Sequence, residues 1–297
     1  MISTPVLLAV LGSALLHAGW NYLVKASGER MLDTATLALG GSVLAVLLLP
    51  WVPLPANASL PWLVISVFVH IAYFVALVET YRYADLSVAY PLMRGAAPVF
   101  VMLALPLYEG APSVSMIAGV ALLCSGVTLP ALVGLRFGIV VGKGLYWAMI
   151  NALIIACYTI LDGIGVRASG NPISYTLWLF FLDAWGILAI AALRHPGRLL
   201  THLVKRWRFG MIGAVATVGS YGIVLWAMSV ASIAAVAMAG GAILGIKLFP
   251  VGERFGCRVG LPEIGDHIPA FLVVQAGEGR HEALDLAARD DGVPCGG

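Results

Sequence analysis

The chain has 297 residues, of which 61% are apolar and 11% charged, whereas soluble domains average about 45–50% apolar and about 25% charged residues. This composition excludes an ordinary soluble enzyme, and it excludes a disordered chain because disorder requires low hydrophobicity. A formal net charge of +2 with no basic segment excludes a nucleic-acid partner. The sequence is therefore that of an integral membrane protein.

Apolar stretches long enough to cross a bilayer recur along the chain with short breaks between them. A hydrocarbon core about 30 Å thick requires about 20 apolar residues, and hydropathy together with helix breakers divides the sequence into about nine such spans. The predicted spans are, in chain order, Thr4–Val24, Thr34–Trp51, Pro61–Ala84, Leu86–Tyr108, Ser113–Leu132, Gly144–Val166, Ile173–Leu193, Phe209–Val230 and Ser232–Val251. The predicted fold class is an all-α polytopic membrane protein.

Basic residues are concentrated in alternate loops. Short cytoplasmic loops retain Lys and Arg, and the odd-numbered loops hold ten of them, against Arg167 alone in the even-numbered loops. This asymmetry predicts that the N-terminus lies outside. The ten residues are Lys25, Arg30, Arg82, Arg136, Lys143, Arg194, Arg198, Lys205, Arg206 and Arg208.

Two sequence patterns occur twice, about half a chain apart. Residues 14–28 in and after the first span are echoed by residues 152–170, and residues 87–109 are echoed by residues 232–253 at a similar offset. If the first unit has five helices, an odd number, the second unit enters the membrane from the opposite side. The pattern then predicts inverted repeats, the arrangement that serves alternating access. The alternative is a chance similarity between apolar helices.

The repeated positions also carry recognisable motifs. They are the string from His17 to Asn21 with Lys25, the string from Ala89 to Pro98 with Glu109, and the string from Glu253 to Gly256. These motifs resemble the drug/metabolite transporter superfamily, specifically its EamA-domain members. Over residues 4–256 the resemblance implies ten helices in two inverted five-helix repeats, at 1–135 and 136–256. It also implies secondary transport, often export, of small metabolites, amino acids or drugs, in a bacterial inner membrane.

The end of the chain departs from the family pattern. Residues 253–297 hold four of the 17 basic and eight of the 15 acidic residues. Only residues 268–276 are apolar there, too few to cross a bilayer. We therefore expect an incomplete second repeat whose last helix is degraded or missing, followed by an atypical polar tail over residues 257–297. Our hypothesis is that a shifted reading frame encodes this tail.

Few ionisable residues lie inside the predicted spans. Each costs at least about 2.5–3.5 kcal/mol there, so each is a functional candidate. The Arg94 guanidinium, near the middle of the fourth span, is predicted to bind a substrate carboxylate or phosphate; the alternative is a structural ion pair. Asp183, in the seventh span, either carries a coupling proton or is a permanent partner of Arg94. Asp162 and Tyr158 share one helix face, where substrate contact and interhelical hydrogen bonding both stay open.

A polar stripe follows one face of the first span. His17 and Asn21 are four residues apart and Trp20 joins their face, which predicts a cavity wall where His17 or Trp20 touches substrate. The alternative is interhelical hydrogen bonding. Tyr73 and Tyr90 are predicted to be aromatic cavity liners, with packing or interface anchoring as the alternative.

The remaining signals concern chemistry. No Walker loop and no hydrolase or zinc-protease motif occurs, and the four cysteines form no Cys-x-x-Cys pair, so no cofactor, metal or enzymatic activity is predicted. His70 is interpreted as a hydrogen-bonded core histidine. We expect a secondary transporter whose partners are a small-molecule substrate, the lipid bilayer and, as a candidate coupling ion, the proton; monomer or homodimer stays open. The alternatives are a membrane-embedded enzyme or assembly factor, or an inactive product with a frameshifted C-terminus.

Overall fold

The computed structural model describes residues 3–25, 29–84, 86–122, 124–125 and 142–244. None of these residues lies in a β-strand, so the all-α fold class is confirmed for this part of the chain. The helices are α1 (Thr4–Lys25), α2 (Arg30–Leu48), α3 (Leu60–Tyr83), α4 (Leu86–Ala104), α5 (residues 114–122), α6 (Lys143–Ser169), α7 (Pro172–Arg194), α8 (Leu199–Lys205), α9 (Trp207–Val230) and α10 (Ile233–Leu244).

Five of the described helical segments are long and apolar enough to cross a membrane, with lengths of 21 to 27 residues. They are Met31–Trp51, Asn57–Tyr83, Lys143–Ser169, Pro172–Arg194 and Trp207–Val230. Shorter apolar stretches occur at Thr4–His17 and Leu92–Leu107. These helices are those of a membrane protein. The predicted fifth and ninth spans continue past the described residues, and the predicted boundaries at 135/136 and 256/257 also lie outside them.

The distribution of side chains matches a protein surrounded by lipid. Large apolar side chains lie on the outer surface, for example Phe68 and Leu193, which are 67% and 81% exposed. Polar side chains are found in the interior, where Asn151 and Asp162 have no exposed surface. Lipid tails are as apolar as leucine, so interior polar groups and close packing hold such helices together.

The turn between α6 and α7 shows how the sequence sets helix ends. Gly170 follows the last residue of α6 and adopts a positive φ of 69°, which an L side chain rarely tolerates. The Asn171 side chain then accepts hydrogen bonds from the backbone N–H groups of Ile173 and Ser174, at 3.0 and 3.1 Å. Pro172, at the first helical position, has no N–H to leave unpaired. Glycine, asparagine and proline thus end one helix and begin the next.

Close approach of α2 and α9 depends on glycine. A Cβ atom built on Gly40 would lie 2.6 Å from the backbone oxygen of Gly210, and one on Gly210 would lie 2.7 Å from the backbone oxygen of Thr36. No larger residue fits at such a crossing without moving a backbone. Small residues of this kind allow membrane helices to pack tightly.

The helices pack around a common centre. α6 packs against α3 and α4, and α1 packs against α9 and α10. α2 contacts α7 and α9, α3 also contacts α7, and α4 contacts α10. The polar residues of the helix midpoints are thereby brought towards one interior space.

Candidate functional site

A cavity of about 210 Å³ lies between the helices, with wall residues from α1, α2, α3, α4, α6, α7, α9 and α10. Sites for drug-sized ligands are typically about 300–1,000 Å³, so this volume suits a smaller metabolite. Much of the wall is apolar or aromatic. The polar wall residues are Ser13, His17, Trp20, Thr34, His70, Tyr73, Arg94, Tyr158, Thr159, Asp183, Thr217, Ser220 and Tyr221.

Arg94, His17 and Trp20 are connected on one part of this wall. The Arg94 guanidinium lies 3.2 Å from His17 Nε2, and the Trp20 indole N–H donates to His17 Nδ1 at 3.3 Å. An indole N–H and a guanidinium only donate, whereas a neutral imidazole accepts at one nitrogen, so Trp20 and Arg94 compete for the single acceptor of His17. The guanidinium suits a ligand carboxylate or phosphate, whose oxygens accept from its N–H groups.

An aromatic group covers another part of the wall. The rings of His70 and Tyr158 stack with their centroids 4.4 Å apart, and Tyr73 meets Tyr158 edge to face at 5.6 Å. Phe74 meets Tyr73 at 5.1 Å and also lines the cavity. Such rings bind the apolar part of a ligand and hold a fixed shape because they have few rotatable bonds.

Asp183 supplies the acidic group of the wall. Its side chain is on α7, where the residue is only 8% exposed, and Oδ1 makes no hydrogen bond to any described residue. A buried carboxylate oxygen without a partner is costly. A ligand donor or a proton would satisfy it. Arg94 and Asp183 give the cavity one basic and one acidic group.

Asp162 lies behind this wall and is not one of the cavity's lining residues. It has no exposed surface, and its carboxylate accepts hydrogen bonds from the hydroxyls of Ser66, Tyr175 and Tyr221. Its Oδ2 lies 3.9 Å from His70 Nε2. We call these five residues the Asp162 cluster. Of the two readings that the sequence left open for Asp162, this geometry matches interhelical hydrogen bonding.

The predicted site residues therefore fall into three groups. Arg94, Asp183, His17, Trp20, Tyr73 and Tyr158 line the one cavity, whereas Asp162 reaches it only through its neighbours. The side chains of Asn21 and Tyr90 lie outside the described part of the structure. Their predicted roles stay predictions.

Sequence reasoning did not predict seven of the polar wall residues, among them His70 and Tyr221. His70 is buried and hydrogen-bonded, as the sequence predicts, and it also lines the cavity. The spacing of Ser66, His70 and Tyr73 along one face of α3 is a signal that could have identified it. Tyr221 lies in an apolar span with no comparable pattern. Only the packing of α9 against α1, α6 and α7 brings it to the wall.

A second polar cluster lies where α4 ends and α10 begins. Glu109 accepts hydrogen bonds from the Ser232 hydroxyl at 2.5 Å and from the Ile233 backbone N–H at 3.0 Å. Burial raises the pKa of this carboxyl, but these bonds and the neighbouring Arg167 outweigh burial and lower the pKa below its ordinary 4.5. The pattern is that of an N-cap contributed by the turn that follows α4.

Neither a metal-binding group in the part of the chain that the structure describes nor a similar known protein adds to the description of the site. Within the described residues, no group of three or more His, Cys, Asp or Glu side chains could hold a metal ion. No protein-family model matches this chain, and no curated protein matches it.

Proposed function

We propose that this protein is a secondary transporter of the EamA type that exports or exchanges a small polar metabolite by alternating access. One observation carries the proposal. A small cavity within a bundle of apolar helices brings together the basic Arg94 and the acidic Asp183. Ionisable groups inside membrane-spanning helices cost at least about 2.5–3.5 kcal/mol, so they are rare and mark the path of a transported solute or ion unless they pair with one another.

The wall chemistry supports a ligand with mixed character. The Arg94 guanidinium presents donors to an anionic group, and Asp183 Oδ1 has no hydrogen-bond partner among the described residues. The rings of Tyr73 and Tyr158 offer contact to an apolar portion. A small molecule with an acidic group, and with an amine or hydroxyl elsewhere, uses all three parts of the wall.

The pattern of helix contacts supports two inverted repeats. Exchanging α1 with α6, α3 with α9, and α4 with α10 converts the contacts of α1 with α9 and α10 into those of α6 with α3 and α4. Exchanging α2 with α7 leaves the contact between these two helices unchanged. The same exchange relates the sequence segments 14–28 and 152–170. Repeats of this kind open a midplane site alternately to the two sides of a membrane.

The test compares the metabolites released into the medium by cells that make the wild-type chain with those released by cells that make Arg94→Ala at the same membrane level. Arg208→Ala is the matched control, because Arg208 is exposed and lies outside the cavity wall. We expect at least one small polar compound to be released by the wild type and the control but not by Arg94→Ala. Equal release by all three, or by empty cells, would contradict transport through this cavity and would favour a non-transport role.

A further inference from the structure

The Asp162 cluster contains a carboxylate whose negative charge is already compensated. Three hydroxyls donate to it, from Ser66 on α3, Tyr175 on α7 and Tyr221 on α9. An isolated carboxylate without such donors would be strongly disfavoured in the interior. Four helices thus hold a buried anion in a fixed position next to His70, and the anion itself has no exposed surface.

The hydrogen bonds of His70 determine which of its nitrogens carries hydrogen. Nδ1 lies 3.0 Å from the backbone oxygen of Ser66 and 3.1 Å from its hydroxyl oxygen. Because a carbonyl oxygen only accepts, we assign the hydrogen of the neutral imidazole to Nδ1. Nε2 then holds a lone pair and faces Asp162 Oδ2 at 3.9 Å. Two acceptors face each other, and one additional proton would make the pair attractive.

We propose that His70 and Asp162 form the proton-binding site of this transporter, with the proton held on His70 Nε2 opposite the Asp162 carboxylate. This rests on the proposed function and deepens it by naming the coupling ion and the residues that hold it. The step adds one proton to the neutral imidazole and one positive charge to the pair. No other bond forms or breaks.

The position of the pair allows it to exchange protons with the cavity. A ligand bound in the cavity would also lie next to His70. His70 is 8% exposed and lines the wall, whereas Asp162 is enclosed. The His70 ring stacks on Tyr158 and meets Tyr221 edge to face, so movement of either helix changes its surroundings. Titratable or charged groups near His70 are Asp162 and Tyr158 on α6, Asp183 and Tyr175 on α7, Tyr221 on α9, Tyr73 on α3 and, across the cavity wall, Arg94 on α4.

Asp183 is the competing proton carrier. It interacts electrostatically with His70 and Asp162, so the proton on His70 is also attracted to Asp183. The two carboxylates differ in the number of hydrogen-bond donors around them. Asp162 has three hydroxyl donors that hold it beside His70, whereas Asp183 lines the cavity and its Oδ1 has no donor among the described residues. This leaves Asp183 available to a ligand donor.

The direct test is a nitrogen-15 NMR titration of the full chain, labelled at its six histidines and held in detergent micelles or nanodiscs. The probe is the proton, and His70→Gln identifies the His70 signals. The pH is lowered from about 9 to about 5, and we expect the Nδ1–H form of His70 at the start and uptake of one proton at Nε2 during the titration. Constant ring shifts throughout this range, or an Nε2–H neutral form, would overturn the proposal.

Asp162→Asn tests the role of the carboxylate. It keeps the side-chain shape but removes the charge opposite Nε2, so we expect His70 to bind its proton at least about tenfold more weakly. Asp33→Asn is the matched control, because Asp33 is an equally buried carboxylate that pairs with His202 and Arg206 instead. Equal weakening in both variants would contradict a specific pair.

Transport measurements then separate the two acids. Release of the exported compound is followed at two external pH values, one unit above and one below neutrality, for wild type, His70→Gln, Asp162→Asn and Asp183→Asn. We expect the first two variants to lose the pH dependence that the wild type shows, and Asp183→Asn to keep it at a reduced rate. The proposal would be overturned if Asp183→Asn alone lost the pH dependence of release. It would also be overturned if release by the wild type were the same at both pH values. If wild-type cells release no compound, the proposed function fails, while the nitrogen titration still decides whether His70 binds the proton.

Discussion

Arg167 lies 2.6 Å from Glu109 and joins the last turn of α6 to the turn that follows α4. The same guanidinium donates to the backbone oxygens of Met228 and Ala231, at 2.8 and 2.6 Å. Because Glu109 also receives the hydrogen bonds of Ser232 and Ile233, the ends of four helices meet at one ion pair. Helix ends leave backbone groups unpaired, and here side chains from other helices satisfy some of them.

Glu109→Gln removes the charge of this pair while keeping an acceptor oxygen. We expect the free energy of unfolding at pH 7 to fall by about 1–2 kcal/mol. The lower end is favoured because Arg167 is 35% exposed and therefore partly screened by solvent. The measurement is thermal unfolding of both proteins in the same detergent, followed by circular dichroism.

The pH dependence of this difference follows from the lowered pKa of Glu109. A carboxyl whose pKa is lower in the folded protein stabilises the fold fully above its ordinary pKa, and this stabilisation is lost as the pH falls through the lowered pKa. The gap between wild type and Glu109→Gln should stay constant from pH 7 to about 5 and shrink below about 4.5. Glu79→Gln is the control, since the ion pairs of Glu79 with described residues are longer, at 3.7 and 3.8 Å. An equal loss in this control would refute a special role of Glu109.

Gly40→Ala tests the close crossing of α2 and α9. The new Cβ would meet the Gly210 backbone oxygen at 2.6 Å, so one helix must move. We expect a loss of about 1–3 kcal/mol in unfolding free energy. Gly12→Ala is the matched control, because no described residue approaches its Cβ position within 4 Å, and alanine favours a helix by about 0.5–1 kcal/mol over glycine. A Gly40→Ala protein as stable as the control would show that the crossing tolerates a methyl group.

Helix positions could be predicted from the sequence where an apolar run ends at a distinct breaker. α7 is an example, because Asn171 and Pro172 mark its start. α8 was not predicted, since seven residues, Leu199–Lys205, between basic neighbours give no apolar run of membrane length. In the structure these seven residues form a short helix, where the sequence predicts a loop between two spans.

The candidate site was only partly predictable for a similar reason. Composition shows that Asp162 and Asp183 are both lone carboxylates within spans, but which one faces the cavity depends on how each helix is rotated against its neighbours. In α6 and α7 apolar residues lie on all sides, so hydropathy does not define that rotation. The pairing of His70 with Asp162 joins residues 92 positions apart, which no local spacing signals.

Arg94→Lys tests whether a planar guanidinium is needed in the cavity. Lysine keeps the charge but offers no two-pronged donor to a carboxylate or phosphate. We expect release of the exported compound to fall at least about tenfold relative to wild type. Arg208→Lys, made at an exposed position outside the cavity wall, should release as much as the wild type. Unchanged release by Arg94→Lys would mean that Arg94 acts only as a positive charge.

The distribution of basic residues predicts which side of the membrane each loop faces. The segment that joins α7 to α9 contains Arg198, Lys205 and Arg206, and short cytoplasmic loops are the ones that retain such residues. A fluorescent protein fused after Arg208 should therefore fold in the cytoplasm and fluoresce. The same reporter fused after Gly170, in the turn between α6 and α7, should stay dark because that turn lies on the other side. The reverse pattern would overturn the predicted orientation.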